Sequence, residues 1–170
     1  MLKAQGARDR GLTDIRWHLI GHLQSNKIKS VLPWVHIIHS VDSASLAANL
    51  AKRWKESGRA GRLPVLIELQ LSREASKGGI PESLLSDLAR EIQDRSDALE
   101  LRGLMCIPEN DPEATIESFR KLKLLGEVLK KDFGASELSM GMSSDYDVAI
   151  SQGSTCVRVG TAIFGERPTV

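Results

Sequence analysis

The densest group of residues able to do chemistry is Ser139-Met140-Gly141-Met142-Ser143-Ser144-Asp145, followed by a short helical pattern and then Cys156-Val157-Arg158-Val159-Gly160-Thr161. Ser143 or Ser144 is placed to cap a helix expected over Asp145–Ser151, so that a hydroxyl and exposed backbone N–H groups hold an anion together. Gly160 lets the backbone approach a ligand closely, and Thr161 offers both a hydroxyl and an N–H. This donor set suits a phosphate; the plainer alternative is a helix cap and a turn. Arg158 lies in a run of Cys156, Val157, Val159 and Gly160, where a charge needs a partner or a ligand. A guanidinium keeps its proton and can donate to a neutral pyridine nitrogen, the alternative being an arginine that reaches solvent from the strand end.

Other chemistry is harder to build. His18, His22, His36 and His39 are close in sequence, but no HExxH pattern occurs and the strand-to-loop context breaks a common ligand face, so no metal is expected. No Gly-x-Ser-x-Gly elbow, P-loop or Gly-x-Gly-x-x-Gly is present, and no residue is assigned a catalytic role. Cys106 and Cys156 fall inside strand-like runs, where a small buried hydrophobe is the plain expectation and a reducing, cytoplasmic setting follows.

These residues must be positioned by elements that the apolar pattern marks out. Strand-length apolar runs at Arg16–Gly21, His36–Val41, Val65–Leu71, Leu101–Ile107, Glu137–Gly141 and Cys156–Gly160 alternate with helical patterns, the signature of βα units around a parallel sheet. Several runs are apolar on consecutive positions, as strands covered on both faces require. Asp111-Pro112 predicts an N-cap and first turn, after which Ile116, Phe119, Leu122, Gly126 and Leu129 follow one helix face. Pro81 opens another helix with Leu84, Leu85, Leu88 and Ile92 facing inward, and Leu46, Leu50 and Trp54 give a third core stripe after Asp42. Ser57–Arg62 predicts a solvated loop. Six units fall short of an eight-stranded barrel, so either the sheet is open and doubly wound or two units are absent. In a closed barrel, the loops after the last two strands commonly bind phosphate, and both candidate loops occupy those places.

Composition narrows the classes. The 170 residues carry 23 Lys+Arg against 22 Asp+Glu, a net charge of +1, which lacks the basic footprint of a nucleic-acid binder. The longest apolar stretches fall far below the roughly 20 residues that span a bilayer, and the first residues carry no apolar signal core.

Five segments, in order and spacing, resemble the YggS/PROSC-type pyridoxal phosphate homeostasis proteins. They are Trp17-His18-Leu19-Ile20-Gly21-His22-Leu23-Gln24-Ser25-Asn26-Lys27, the block from Ser72 to Ile80, Leu101-Arg102-Gly103-Leu104-Met105, Leu138-Ser139-Met140-Gly141-Met142-Ser143 and Val157-Arg158-Val159-Gly160-Thr161-Ala162-Ile163-Phe164-Gly165. The resemblance implies an α/β fold, a partial (β/α) TIM-type barrel like the alanine racemase N-terminal domain, with six of eight βα units in one domain over residues 1–170. It also implies a non-catalytic carrier of pyridoxal 5'-phosphate (PLP) in vitamin B6 homeostasis. It carries the phosphate to Ser143, Gly160 and Thr161 and the pyridine nitrogen to Arg158.

Members of that family begin with a strand ending in the lysine that forms a Schiff base with the cofactor. The resemblance therefore implies that this chain starts two strands late, without that lysine, and that Met1–Gly11 matches the tail of the family's second helix. Lys27 and Lys77 are expected in loops, and Gln70 departs from the asparagine usual in its strand. Strand Arg16–Gly21 should then lie at an open edge and invite self-association. Two alternatives have their own signatures: a fragment that acts only as an interaction module would not retain PLP, and a racemase-like enzyme would need a base and a better electron sink than an arginine on the ring nitrogen provides.

Overall fold

The computed structural model describes residues 2–72 and 78–166. Helix α1 (Leu2–Asp9) leads into β1 (Trp17–Leu19), α2 (Ile28–Val31), β2 (Val35–Val41), α3 (Ala44–Glu56) and β3 (Leu63–Glu68). Then come α4 (Leu85–Gln93), β4 (Leu99–Met105), α5 (Pro112–Phe133), β5 (Glu137–Met142), α6 (Tyr146–Ser151), β6 (Cys156–Arg158) and α7 (Thr161–Phe164). The strands form a single sheet in the order β1-β2-β3-β4-β5-β6, and every neighbouring pair is parallel. This is a partial (β/α) barrel, built as the alternating apolar runs predict.

Local chemistry sets the boundaries. The Asp111 carboxylate accepts from Ala114 N at 2.8 Å, with Pro112 as the first residue of α5, and the Ser43 hydroxyl accepts from Leu46 N at 3.2 Å to start α3. Leu46, Leu50, Trp54, Phe119, Leu122 and Leu129 are buried as their helical spacing requires. One position differs from expectation. Leu84 is 49% exposed, because Pro81 opens a 3-10 turn over Glu82–Leu84 and α4 begins only at Leu85, so the tighter turn rotates Leu84 off the inward face. The loop 57–62 is solvated as expected, all of it exposed but Arg59. Arg59 stacks 4.5 Å from the Trp54 ring centroid and donates to the carbonyls of Leu32 and Val35, tying the loop to the start of β2.

The two faces of the sheet have different jobs. Val65, Ile67, Leu104, Leu138 and Met140 join the helices in one large apolar cluster, while Ile37, Leu66 and Met105 form a small second cluster on the concave face. Register extends that concave face. Glu68 pairs with Met105, Met105 with Ser139, and Ser139 with Cys156, and partners in a parallel ladder point the same way. Glu68 and Ser139 therefore face inward beside Met105, and Arg158, two residues beyond Cys156, does the same. Ser72 to Ile80 returns toward β3 through a bridge between Leu69 and Ile80, while Lys77 and the centre of that block lie outside the described residues.

Close approach of β4 and β5 depends on Gly103. A Cβ added there would lie 1.8 Å from the carbonyl oxygen of Glu137. No side-chain rotation relieves a clash with backbone. Gly103→Ala should therefore cost about 3 kcal/mol or more in urea unfolding. Gly6→Ala, at an α1 position with nothing within 4 Å of the added atom, should stabilise by about 0.5–1 kcal/mol.

Candidate functional site

Arg158 ends β6 and turns its guanidinium into the concave face. Its Nη1 donates to the Ser139 hydroxyl at 2.9 Å and its Nη2 to the Cys106 carbonyl at 2.9 Å. Both partners are neutral, so the cation is held in place without being neutralised. Burial lowers the Arg158 pKa, yet a guanidinium that starts above 12 stays charged. The charged residue inside an apolar run does find partners, as the sequence requires.

Behind Ser139 runs a chain of imidazoles. The Ser139 hydroxyl lies 2.8 Å from Nδ1 of His39, and Nε2 of His39 lies 3.1 Å from Nδ1 of His18. Ser139 and His39 are buried, at 0% and 2% exposure, whereas His18 is exposed. Burial first, then His18 and Arg158, press the His39 pKa down to about 4. Burial, Arg16 and His36 lower that of His18. At neutral pH the line from Arg158 to His18 is a row of neutral hydrogen-bonding groups. The expectation that sequence context separates the histidines fails for this pair, because neighbouring parallel strands bring positions 21 residues apart side by side. Among the described residues no group of three His, Cys, Asp or Glu side chains is arranged to hold a metal.

The loops after β5 and β6 meet. Gly141, at φ +94°, turns the end of β5, and a Cβ there would lie 2.5 Å from the Ala149 side chain, so only glycine fits. Ser143 does not cap the helix that follows it. Asp145 occupies the N-cap position of α6 without a side-chain cap bond to that helix, and its carboxylate instead accepts from Met142 N, at the end of β5, at 2.6 Å. The Ser143 hydroxyl instead accepts from Gly160 N at 3.1 Å and Ala162 N at 3.3 Å, capping α7 from another loop. Ser144 points elsewhere, lining a cleft of about 320 Å3 with Asn110, Asp111 and Asp145.

Ser143, Gly160 and Thr161 are thus brought together at the start of α7. Among the described residues no hydrogen bond engages the Thr161 N–H or its hydroxyl, and the Ser143 proton is also available to donate. Arg158 and Gly160 line a concavity of about 310 Å3 with His18, Ile20, His39 and Val159. Ser143 and Thr161 do not line that concavity but stand next to Gly160 at its margin; donors beside it, a cation inside and a mixed apolar and imidazole wall are the chemistry that a phosphorylated pyridine requires. The residues present fit that group.

A further concave-face residue escaped the sequence reading. Glu68 is 5% exposed, and its pKa is raised to about 7, first by burial and then by Asp42, against smaller pulls from His22 and Arg158. Among the described residues it has no hydrogen bond or ion pair through its carboxyl. Its signal in the sequence was an acidic residue ending the apolar run Val65-Leu66-Ile67. Cys106 is buried, with its thiol pushed up to about 12, so it is no nucleophile at neutral pH.

The buried histidine and glutamate act oppositely on stability. Glu68, with its folded pKa raised from 4.5 to about 7, contributes stability below pH 4.5 that is lost as pH rises through 7. His39, lowered from 6.5 to about 4, contributes stability above pH 6.5 that is lost as pH falls through 4. Between pH 4.5 and 6.5 the slopes cancel. The lowered His18 and His36 add a rise with pH, so the unfolding free energy of the unmodified chain should climb only gently across that window and fall from there through pH 7. In Glu68→Gln it should rise more steeply from pH 4 to 6.5 and exceed that of the parent at pH 8 by about 3–4 kcal/mol, at about 1.4 kcal/mol per pKa unit. Urea titrations at pH 5, 6.5 and 8 read both effects.

Comparison with known proteins follows the same geometry. Residues 3–168 match the family described as the alanine racemase N-terminal domain. The chain is 39% identical over 158 residues to a pyridoxal phosphate homeostasis protein of Aquifex aeolicus, covering 91% of this chain and 68% of that one. It is 44% identical over 156 residues to a protein of the same name from Vibrio cholerae, covering 90% and 65%. It spans about two thirds of the length of these curated relatives. Among solved structures, PipY of Synechococcus elongatus with PLP bound superposes with a TM-score of 0.79 at 32% identity, covering 96% of this chain and 76% of PipY.

Proposed function

This chain belongs to the alanine racemase N-terminal domain family, and on that premise we infer that it binds pyridoxal 5'-phosphate as a non-catalytic carrier in PLP homeostasis. The observation that carries this reading is the meeting of Ser143 with the start of α7 beside a charged, unneutralised Arg158. Two relatives are named for PLP homeostasis, and PipY holds PLP in its crystal structure.

Each residue has a role that its chemistry allows. Ser143 and Thr161 donate hydroxyl protons to the phosphate, and the Gly160–Thr161 backbone approaches it without a side chain at 160 in the way. Arg158 donates to the ring nitrogen. When bound, the cofactor supplies an electron-withdrawing ring, but a donor that does not transfer its proton leaves that ring neutral and a weak electron sink. An arginine on the ring nitrogen leaves the ring too weak an electron sink for racemase-like chemistry, so the carrier reading is favoured. One domain accounts for all of these contacts. The setting is cytoplasmic, in keeping with two free cysteines; no helix of the described residues is long and apolar enough to cross a membrane.

None of the six strands contains a lysine, and among the described residues the lysines lie on helices and turns. Among the described residues no lysine stands on a strand beside Arg158, so the contacts offered to PLP here are to its phosphate and ring. The test is to add PLP to the 170-residue chain, reduce with borohydride and map pyridoxyl-lysine by mass spectrometry. Sparse labelling of many surface lysines is expected, whereas stoichiometric labelling of one, such as Lys27 or Lys77, would overturn this binding mode. Arg158→Gln should weaken PLP binding about tenfold or more, and Cys106→Ala, which keeps the carbonyl that holds Arg158, should leave it unchanged. Equal losses would mean that both act through stability alone.

Self-association completes the reading of the isolated chain. Among the described residues strand β1 has one sheet neighbour, β2, and no strand pairs with its other edge. Light scattering should show mass rising with concentration, and a concentration-independent monomer would contradict it.

A further inference from the structure

Arg158 is buried on the concave face and donates to Ser139 and to the Cys106 carbonyl, neither of them charged. A guanidinium on a flexible side chain loses about 2 kcal/mol of rotamer freedom when fixed, so its aim depends on the acceptors around it. The Cys106 carbonyl is rigid backbone. Ser139 is different, because a hydroxyl rotates and can present either its proton or its lone pairs. What fixes Ser139 therefore fixes Arg158.

We propose that Ser139 and His39 are positioning residues that aim the Arg158 guanidinium at its ligand, with His18 as the outer end of the same relay. The inference rests on the assignment of Arg158 to a ring nitrogen. The hydrogen-bond polarity follows from Arg158, which can only donate. Ser139 accepts from Arg158 at 2.9 Å and turns its own proton to Nδ1 of His39 at 2.8 Å. His39 then carries its proton on Nε2 and donates to Nδ1 of His18 at 3.1 Å. Every polar atom along the buried part of this line has a partner, in agreement with the lack of unsatisfied buried side-chain atoms among the described residues. The row crosses the concave face from β6 to β1 through β5 and β2, so it also braces strands that do not pair in the sheet. Bracing alone would be a structural role. Aim is the additional claim, and it has a distinct readout.

Two measurements separate them. In the ligand-free chain, nitrogen-15 NMR should find the Arg158 Nη hydrogens resolved by slow rotation and His39 as the Nε2–H tautomer. Ser139→Ala should merge the Arg158 signals, Ser139→Thr should restore them, and His39→Asn, whose amide reaches the place of Nδ1, should retain them better than His39→Phe. Arg158 signals indifferent to Ser139→Ala, or His39 found as the Nδ1–H tautomer, would overturn the relay. The second measurement compares the affinity of PLP with that of its 1-deaza analogue, in which CH replaces the ring nitrogen. Ser139→Ala should lower PLP affinity about tenfold while changing that of the analogue less than about twofold. Equal losses for both ligands would reduce Ser139 to a structural brace and overturn the proposal. If the unmodified chain fails to distinguish PLP from the analogue, the assignment of Arg158 to the ring nitrogen falls, whatever the NMR shows.

Discussion

A buried guanidinium held by a hydroxyl and a carbonyl is the interaction on which the site depends. Arg158 could be satisfied more cheaply by a carboxylate, and Glu68 stands on the same concave face within electrostatic range of it. The two do not bond. Had they paired, the cation would be neutralised and its donors spent, leaving a structural ion pair where a ligand could bind. Neutral acceptors give geometry without neutralisation, and that combination leaves attraction for an incoming acceptor.

The parallel sheet makes the combination possible. Ser139 comes from β5, the Cys106 carbonyl from the end of β4 and Arg158 from β6, and the three meet because strands follow one another in sequence order with side chains in register. Gly103 is part of this arrangement, since β4 and β5 approach too closely there for any side chain. The same order sets the loops after β5 and β6 side by side, so that Ser143 can cap a helix that begins 18 residues later, at Thr161.

Much of this was legible in the residues. Apolar runs gave the strands to within a few positions, and Asp111-Pro112 named the start of α5, because both signals are local: a period or a cap is complete within one turn or one strand. The candidate site residues Ser143, Arg158, Gly160 and Thr161 were legible by type. Their partners were not. Ser143 was expected to cap its own helix, but its hydroxyl accepts from Gly160 N and Ala162 N of the neighbouring loop, while Asp145 bonds back to Met142 N, an outcome set by how two loops meet and not by any local period. The His18–His39 contact depends on register between β1 and β2, and the unpaired state of Glu68 depends on what the fold leaves out of its reach.

Glu68 and His39 show what the concave face costs and why it persists. A carboxyl pushed up to about 7 and an imidazole pushed down to about 4 are both groups whose neutral forms burial favours, the carboxyl below about pH 7. In a face meant only for packing, leucine would serve better at either position, as Leu66 and Ile37 do a few residues away. Neutral polar groups have one advantage over leucine: they accept and donate without adding net charge near Arg158. A second cation at His39 would repel the guanidinium, and an ionised Glu68 would draw it aside. Below about pH 7, the low pKa of one and the high pKa of the other therefore protect the same thing, the positive charge of Arg158 with its direction set by hydrogen bonds.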